Sequence, residues 1–130
     1  MSSKPLHFLT IAEASELLRS RALSAVELTE HLLARIEAVD PTVNSYLLVT
    51  AERALDDARS ADAAIAKGEG GPLCGIPVAL KDIYDTAGIR TTSGSHLHAD
   101  RVPAADSVCA ARLREAGTVL LGKLQTHEFA

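Results

Sequence analysis

The chain has no tryptophan, two phenylalanines and two tyrosines, so it lacks the aromatic platforms on which single-stranded nucleic acids stack. A basic surplus is missing as well. Thirteen Lys and Arg stand against 17 Asp and Glu, for a formal net charge of -4. They are dispersed along the chain, with neither a nucleic-acid footprint nor a polybasic membrane anchor. Direct binding to DNA or RNA is not expected. Cysteine is scarce: Cys74 and Cys109 form no CxxC pair, which fits neither a zinc ligand set nor a redox motif and implies two reduced, mostly buried thiols. Long apolar runs are absent too. Leu6-His7-Phe8-Leu9 is short and soon interrupted by Glu13, too little for a signal peptide or a membrane span. These absences point to the cytoplasm and away from membranes.

What remains is a chain of 130 residues, 47% of them hydrophobic, enough for one globular unit with a core of Ala, Leu, Val and Ile. Thr10-Ile11-Ala12-Glu13 and Ser24-Ala25-Val26-Glu27 both fit the capping box, in which hydroxyl and carboxylate satisfy each other's backbone donors at a helix start. The first helix would bury Ile11, Ala14, Leu17 and Leu18. The second would bury Leu28, Leu32, Ile36 and Val39 and stop at Asp40-Pro41. A short strand over Tyr46-Leu47-Leu48-Val49 follows, then an alanine-rich helix capped by Thr50 and ended near Lys67 by Gly68. Gly68-Glu69-Gly70-Gly71-Pro72 is not a phosphate cradle, because it follows a helix and leads into a strand, the reverse of the dinucleotide order.

Gly75-Ile76-Pro77-Val78-Ala79-Leu80-Lys81-Asp82 is the most informative stretch. Pro77 suits the first residue of a strand, and Val78-Ala79-Leu80 reads as a strand covered on both faces. Lys81 then stands at the strand's carboxyl end, where open α/β sheets bind their ligands. On position alone, a solvated lysine at a strand exit is the plainer alternative. Residues 87 to 95 read as irregular backbone. Asp106 or Ser107 starts a helix through Ala116, Gly117 ends it, and residues 118 to 122 form a second apolar strand. Strand, helix and strand make a right-handed crossover, so the strands at 77 to 81 and 118 to 122 should be parallel. The fold class is α/β, with helices on a sheet whose edges and at least one face need further cover.

Several ordered blocks carry a resemblance. Gly75 to Asp82, Gly88-Ile89-Arg90-Thr91-Thr92-Ser93-Gly94-Ser95, Leu113-Arg114-Glu115-Ala116-Gly117 and Gly122-Lys123 ahead of His127-Glu128-Phe129-Ala130 resemble the amidase signature family in unbroken order. The likeness implies the N-terminal part of a single amidase domain, helical over 1 to 68 and opening its α/β core at 72 to 130, with a mixed sheet incomplete in this chain. It implies a Ser-cisSer-Lys triad that cleaves amides without cofactor or metal, in which Lys81 is the general base. A lysine titrates ordinarily near ~10.4, so a base at neutrality must be brought well below that value, which burial can do. Asp82 does not spoil it, since neighbouring side chains on a strand point to opposite faces.

Both serines of the triad lie, by that likeness, in a glycine- and serine-rich segment beyond Ala130, so nucleophile and cis-serine are not present here. Ser93, Ser95 and Ser107 fit no nucleophile elbow and read as loop or capping hydroxyls. His96-Leu97-His98, with Asp100 nearby, completes no ligand spacing and reads as surface loop. Ala130 is expected to approach the substrate pocket. Leu124-Gln125 stands where the family commonly has Thr-Asn. Three readings follow: a stand-alone amidase acting on a small amide, the A subunit of a glutamyl-tRNA amidotransferase working in a complex, and an inert truncated product. Leu124-Gln125-Thr126 and Ile83-Tyr84 tilt toward the first. The 130 residues alone should therefore hydrolyse no amide through Lys81; ammonia release by the pure chain that vanishes in Lys81→Ala would contradict this.

Overall fold

The computed structural model describes residues 4 to 130. A short 3-10 turn over Leu6–Phe8 leads into helices α1 (Ile11–Arg19) and α2 (Ala25–Val43), strand β1 (Tyr46–Val49) and helix α3 (Ala51–Ala66). Strand β2 (Pro77–Lys81), helix α4 (Val108–Glu115) and strand β3 (Val119–Leu124) follow, with a 3-10 turn at His96–His98 between β2 and α4.

Both capping boxes form. Thr10 accepts from the Glu13 N-H and Ser24 from the Glu27 N-H, while each glutamate returns to the cap's own backbone. The α2 start is doubly secured, because Asp62 of α3 accepts from the N-H groups of Ala25 at 2.7 Å and Val26 at 3.2 Å. These are donors without partners inside the helix, and a carboxylate also suits the positive end of its dipole. Ala54, Ala58 and Ala61 are buried on one face of α3, and their small side chains let it lie close against Ala25, Leu28 and Thr29 of α2, which are buried as well.

Three expectations are corrected. Helix α2 runs through Pro41 to Val43, because a proline near a helix end forfeits a single hydrogen bond and Asn44, at φ 54°, closes the last turn by donating its N-H to the Asp40 carbonyl. The Asp40 carboxylate instead holds the backbone N-H and hydroxyl of Ser45. Thr50 precedes α3 but does not cap it with its side chain, since its hydroxyl donates to the Leu120 carbonyl at 2.9 Å. Cys109 is exposed, unlike Cys74; α4 turns Ala110 and Leu113 to the core, and the residue beside Ala110 faces away. The apolar stripes are also narrower than the sequence implies, with Ile11 and Val39 left exposed.

The sheet is mixed, in the order β1-β3-β2. As the crossover rule requires, β2 and β3 are parallel, and they are direct neighbours; β1 runs antiparallel on the other side of β3. One face packs on α1, α2 and α3 through Ile76, Val119 and Leu121, and the other carries Leu80 and Leu120 against Ala110 of α4. The register breaks once between β2 and β3: Val78 pairs with Leu120 but Ala79 with Gly122. Leu121 is therefore the extra residue of a bulge. Its carbonyl accepts the Thr50 N-H at 2.9 Å, and the Leu120 N-H donates to Asp57 of α3 at 3.3 Å, so the bulged peptides are not left unpaired.

Gly122 follows directly, where β1 crosses closest. A Cβ there would overlap the Leu48 carbonyl oxygen and lie 3.1 Å from the Val49 Cα, both backbone atoms that cannot swing aside. Gly122→Ala should cost more than about 2 kcal/mol through overpacking, seen as an earlier urea midpoint; an unchanged midpoint would refute the close β1–β3 approach.

Candidate active site

Lys81 is the last residue of β2 and is half-buried. It pairs across the sheet with Leu124, so the two residues share a face. Its backbone is held on both sides: the Tyr84 N-H donates to its carbonyl at 3.0 Å, and the next N-H, that of Asp82, donates to the Leu124 carbonyl at 3.0 Å. No hydrogen bond or ion pair engages the Lys81 ammonium among the described residues. The lysine is thus presented at a strand's carboxyl end with its head group uncommitted.

The other lysine of the sheet does not stand out in the sequence. Lys123 is fully buried, at 0% exposure, and pairs with Leu80. The bulge decides this. Without it, Lys123 would follow Leu121 onto the helical side; the extra residue moves it to the face of Leu120 and Leu80. There Lys123 Nζ donates to the Tyr84 carbonyl at 2.7 Å, Thr91 Oγ1 at 2.8 Å and Thr86 Oγ1 at 3.1 Å. Both threonine hydroxyls already give their protons elsewhere, Thr86 to the Tyr84 carbonyl and Thr91 to the Ile89 carbonyl, so toward Lys123 they can only accept. Three acceptors for three N-H groups is the pattern of a charged ammonium.

The counter-charge is Asp82, 1% exposed, with Oδ1 at 3.5 Å from Lys123 Nζ. Asp82 belongs to the face opposite Lys81, as alternation requires, and therefore serves the other lysine. Its Oδ2 accepts from the Thr92 N-H at 2.9 Å and from the Thr92 hydroxyl at 2.5 Å. Burial pulls the Lys123 ammonium below the ordinary lysine value, and the nearby Asp82 carboxylate opposes that shift.

From Thr92 the construction reaches the C-terminal block. Ser93, at φ 54°, donates its N-H to the Asp82 carbonyl and accepts the Phe129 N-H, both at 2.8 Å. A Cβ on Gly94, at φ +66°, would lie 2.9 Å from the Thr126 carbonyl oxygen, so only glycine fits where these segments touch. The Ser95 hydroxyl donates to Glu128 at 2.6 Å and accepts the Leu97 N-H at 3.3 Å. Thus Ser95, 5% exposed, caps a turn and anchors the block, and Ser107 caps α4; among the described residues neither hydroxyl is hydrogen-bonded to an imidazole or a lysine amine. His98 packs edge-on against Phe129 with ring centroids 5.4 Å apart, and no group of three or more metal-ligating side chains occurs among the described residues. Ala130 is exposed at the end of this block. The start of the same segment borders an open hollow of about 210 Å³, lined by Leu47, Arg90, Thr92, Gly94, Gln125 and Thr126 among others.

The loop between β2 and α4 is braced a second time by Arg101, whose guanidinium grips Asp85 through two bonds of 2.6 and 2.7 Å. Hydrogen bonding from Arg101 holds the Asp85 carboxyl below the usual range. A depressed folded value means that the pair stabilises above about pH 4, the unfolded carboxylate range, and that this contribution is lost as pH falls through the folded value. Both side chains are more than a third exposed, so solvent screening keeps the gain small. The gap in urea midpoint between the native chain and Asp85→Asn should be present at pH 6 and narrow as pH falls below about 4; a gap independent of pH would refute the ion pair.

Comparison with known proteins adds to this geometry. The family model described as Amidase matches residues 27–130. The A subunit of the glutamyl-tRNA(Gln) amidotransferase of Geobacter metallireducens is 54% identical over 122 residues, which is 94% of this chain and 25% of that protein. The protein of the same name in Moorella thermoacetica is 52% identical, over 96% of this chain and 26% of its own. In three dimensions the chain resembles the native peptide amidase of Stenotrophomonas maltophilia, at a TM-score of 0.90 and 32% identity over 97% of this chain and 26% of that one. It also resembles a bacterial aryl acylamidase of the amidase signature family, at a TM-score of 0.88 and 26% identity, over 97% of this chain and 27% of that one. The chain spans about a quarter of the length of the curated relatives it matches.

Proposed function

The chain belongs to the amidase signature family, and we propose that it supplies the general base, Lys81, of a site that cleaves amide C–N bonds. One observation carries this reading: Lys81 ends β2 half-buried, on the face turned away from the buried Lys123 cluster, with no described side chain occupying its ammonium. Such a lysine has a fixed backbone and a free head group, which is what a base that must meet a separate hydroxyl requires.

In the reaction, the neutral Lys81 amine takes the proton of a bridging serine as that serine takes the proton of the nucleophilic serine. The nucleophile bonds to the amide carbon; when the C–N bond breaks, the proton passes back along the same path to the leaving nitrogen. Water then releases the acyl group by the same proton transfers. The two serines would be supplied by residues outside these 130. The preferred substrate is a small amide cleaved by the enzyme acting alone, and the block ending at Ala130 approaches its pocket. The protein works in the cytoplasm.

A second reading has its own support. The 54% identity to the A subunit of a glutamyl-tRNA(Gln) amidotransferase exceeds the 32% and 26% to the peptide amidase and the aryl acylamidase. It favours a glutaminase that works with partner proteins. The two are separated by assaying the intact gene product on glutamine and on an acyl p-nitroanilide, with and without amidotransferase partners and charged tRNA. Activity on the anilide by the protein alone supports the first reading; ammonia from glutamine that appears only with the partners replaces it with the second. In either case Lys81→Ala should lower kcat by roughly 10²–10⁴-fold, the ordinary contribution of a general base. Native activity in that variant would refute the base assignment.

A further inference from the structure

Lys123 and its shell are too costly to be incidental. A lysine at 0% exposure and a carboxylate at 1% have both given up water, and a buried pair of this kind is seldom worth more to stability than apolar side chains of the same volume. What the pair does is geometric. Lys123 gathers Tyr84, Thr86 and Thr91, while its counter-ion Asp82 gathers Thr92 and stands next to Lys81 in the chain. The cluster therefore grips the backbone immediately after Lys81 from beneath the sheet, while Lys81 leaves from the upper face.

We propose that Lys123, acting through Asp82, is a positioning residue for Lys81: the buried ammonium fixes the exit of β2 so that the Lys81 amine is held at reaction distance. The proposal rests on the reading of Lys81 as the base. Three links transmit the constraint. Asp82 donates its N-H to the Leu124 carbonyl, its carbonyl accepts from Ser93, and the Lys81 carbonyl accepts from Tyr84, whose own carbonyl is the shortest contact of Lys123. Removing the ammonium leaves the Asp82 carboxylate without its counter-charge, its Oδ1 already lacking any hydrogen bond, and releases the 84–91 loop. A displacement near 1 Å costs about 10²-fold in rate when reacting groups must be aligned.

The test uses the intact gene product and whichever of the two substrates above it turns over. Lys123→Met, which preserves the side-chain bulk, should lower kcat by about 10²-fold with KM changed by less than about threefold, the signature of a loss expressed in the transition state alone. The loss should persist when kcat is referred to the folded, active fraction. In a Lys81→Ala background the same change should cost nothing further. A merely structural role predicts otherwise: a smaller active fraction that accounts for the loss, and the same fold-loss in both backgrounds. Either would overturn the proposal. Should Lys123→Met fail to fold, Thr91→Val and Thr86→Val each remove one acceptor; they should lower kcat by about 3–10-fold, the worth of one hydrogen bond, with KM changed by less than about threefold. Native kcat in both would equally overturn it. Native kcat in Lys123→Met beside an inactive Lys81→Ala sinks the positioning role alone, whereas an active Lys81→Ala sinks both it and the base assignment.

Discussion

A charged ammonium with no access to water constrains this structure more than any apolar contact does. Lys123 is enclosed, and removing a charge from water costs several kcal/mol unless its donors and its charge are both answered. The answer comes from four residues of one loop, Asp82, Tyr84, Thr86 and Thr91. A segment with almost no regular secondary structure is thereby given one conformation. Lys81, Ser93 and the Phe129 block inherit their places from it through backbone bonds.

The bulge at Leu121 is what makes this possible, and the N-terminal half of the chain supports the bulge. Thr50 gives its N-H to Leu121 and its hydroxyl to Leu120, and Asp57 receives the Leu120 N-H. Helix α3 is in turn locked to α2 by its three buried alanines and by Asp62 at the α2 start. The helical region is therefore more than cover for the sheet. Through Thr50 and Asp57 it sets which face Lys123 occupies, and so links the alanine-rich helix to the setting of Lys81.

Much of this is legible in the residues, and the boundary of legibility has physical causes. The capping boxes at Thr10 and Ser24, the glycine terminators at Gly68 and Gly117 and the parallel pairing of β2 with β3 follow from local chemistry and chain topology. Lys81 stands out because its strand is marked at both ends. Lys123 does not, because the apolar pattern ends at residue 122 and strict alternation after Leu121 gives it the wrong face. Gly122 is the available signal, since an isolated glycine in a strand often marks a bulge or a close backbone approach; here it marks both. Asp82 is read from the sequence only for its effect on Lys81. Its partner lies 41 positions on (123 − 82), and no local rule joins them. Pro41 within α2 and Thr50 bonded to β3 are likewise settled by what lies across the fold.

The arrangement turns on Lys123 being a charged, fully hydrogen-bonded ammonium inside the sheet while Lys81 is not so engaged. NMR of the side-chain Nζ groups reads this without intermediaries, in protein labelled with ¹⁵N at lysine and with the two signals assigned by Lys123→Arg and Lys81→Arg. At pH 7 the Lys123 ammonium should give a signal with three protons protected from exchange with water, and the Lys81 signal should exchange too fast to see under the same conditions. A Lys123 signal lost to rapid exchange, or one bearing the shift of a neutral amine, would be incompatible with the buried charge.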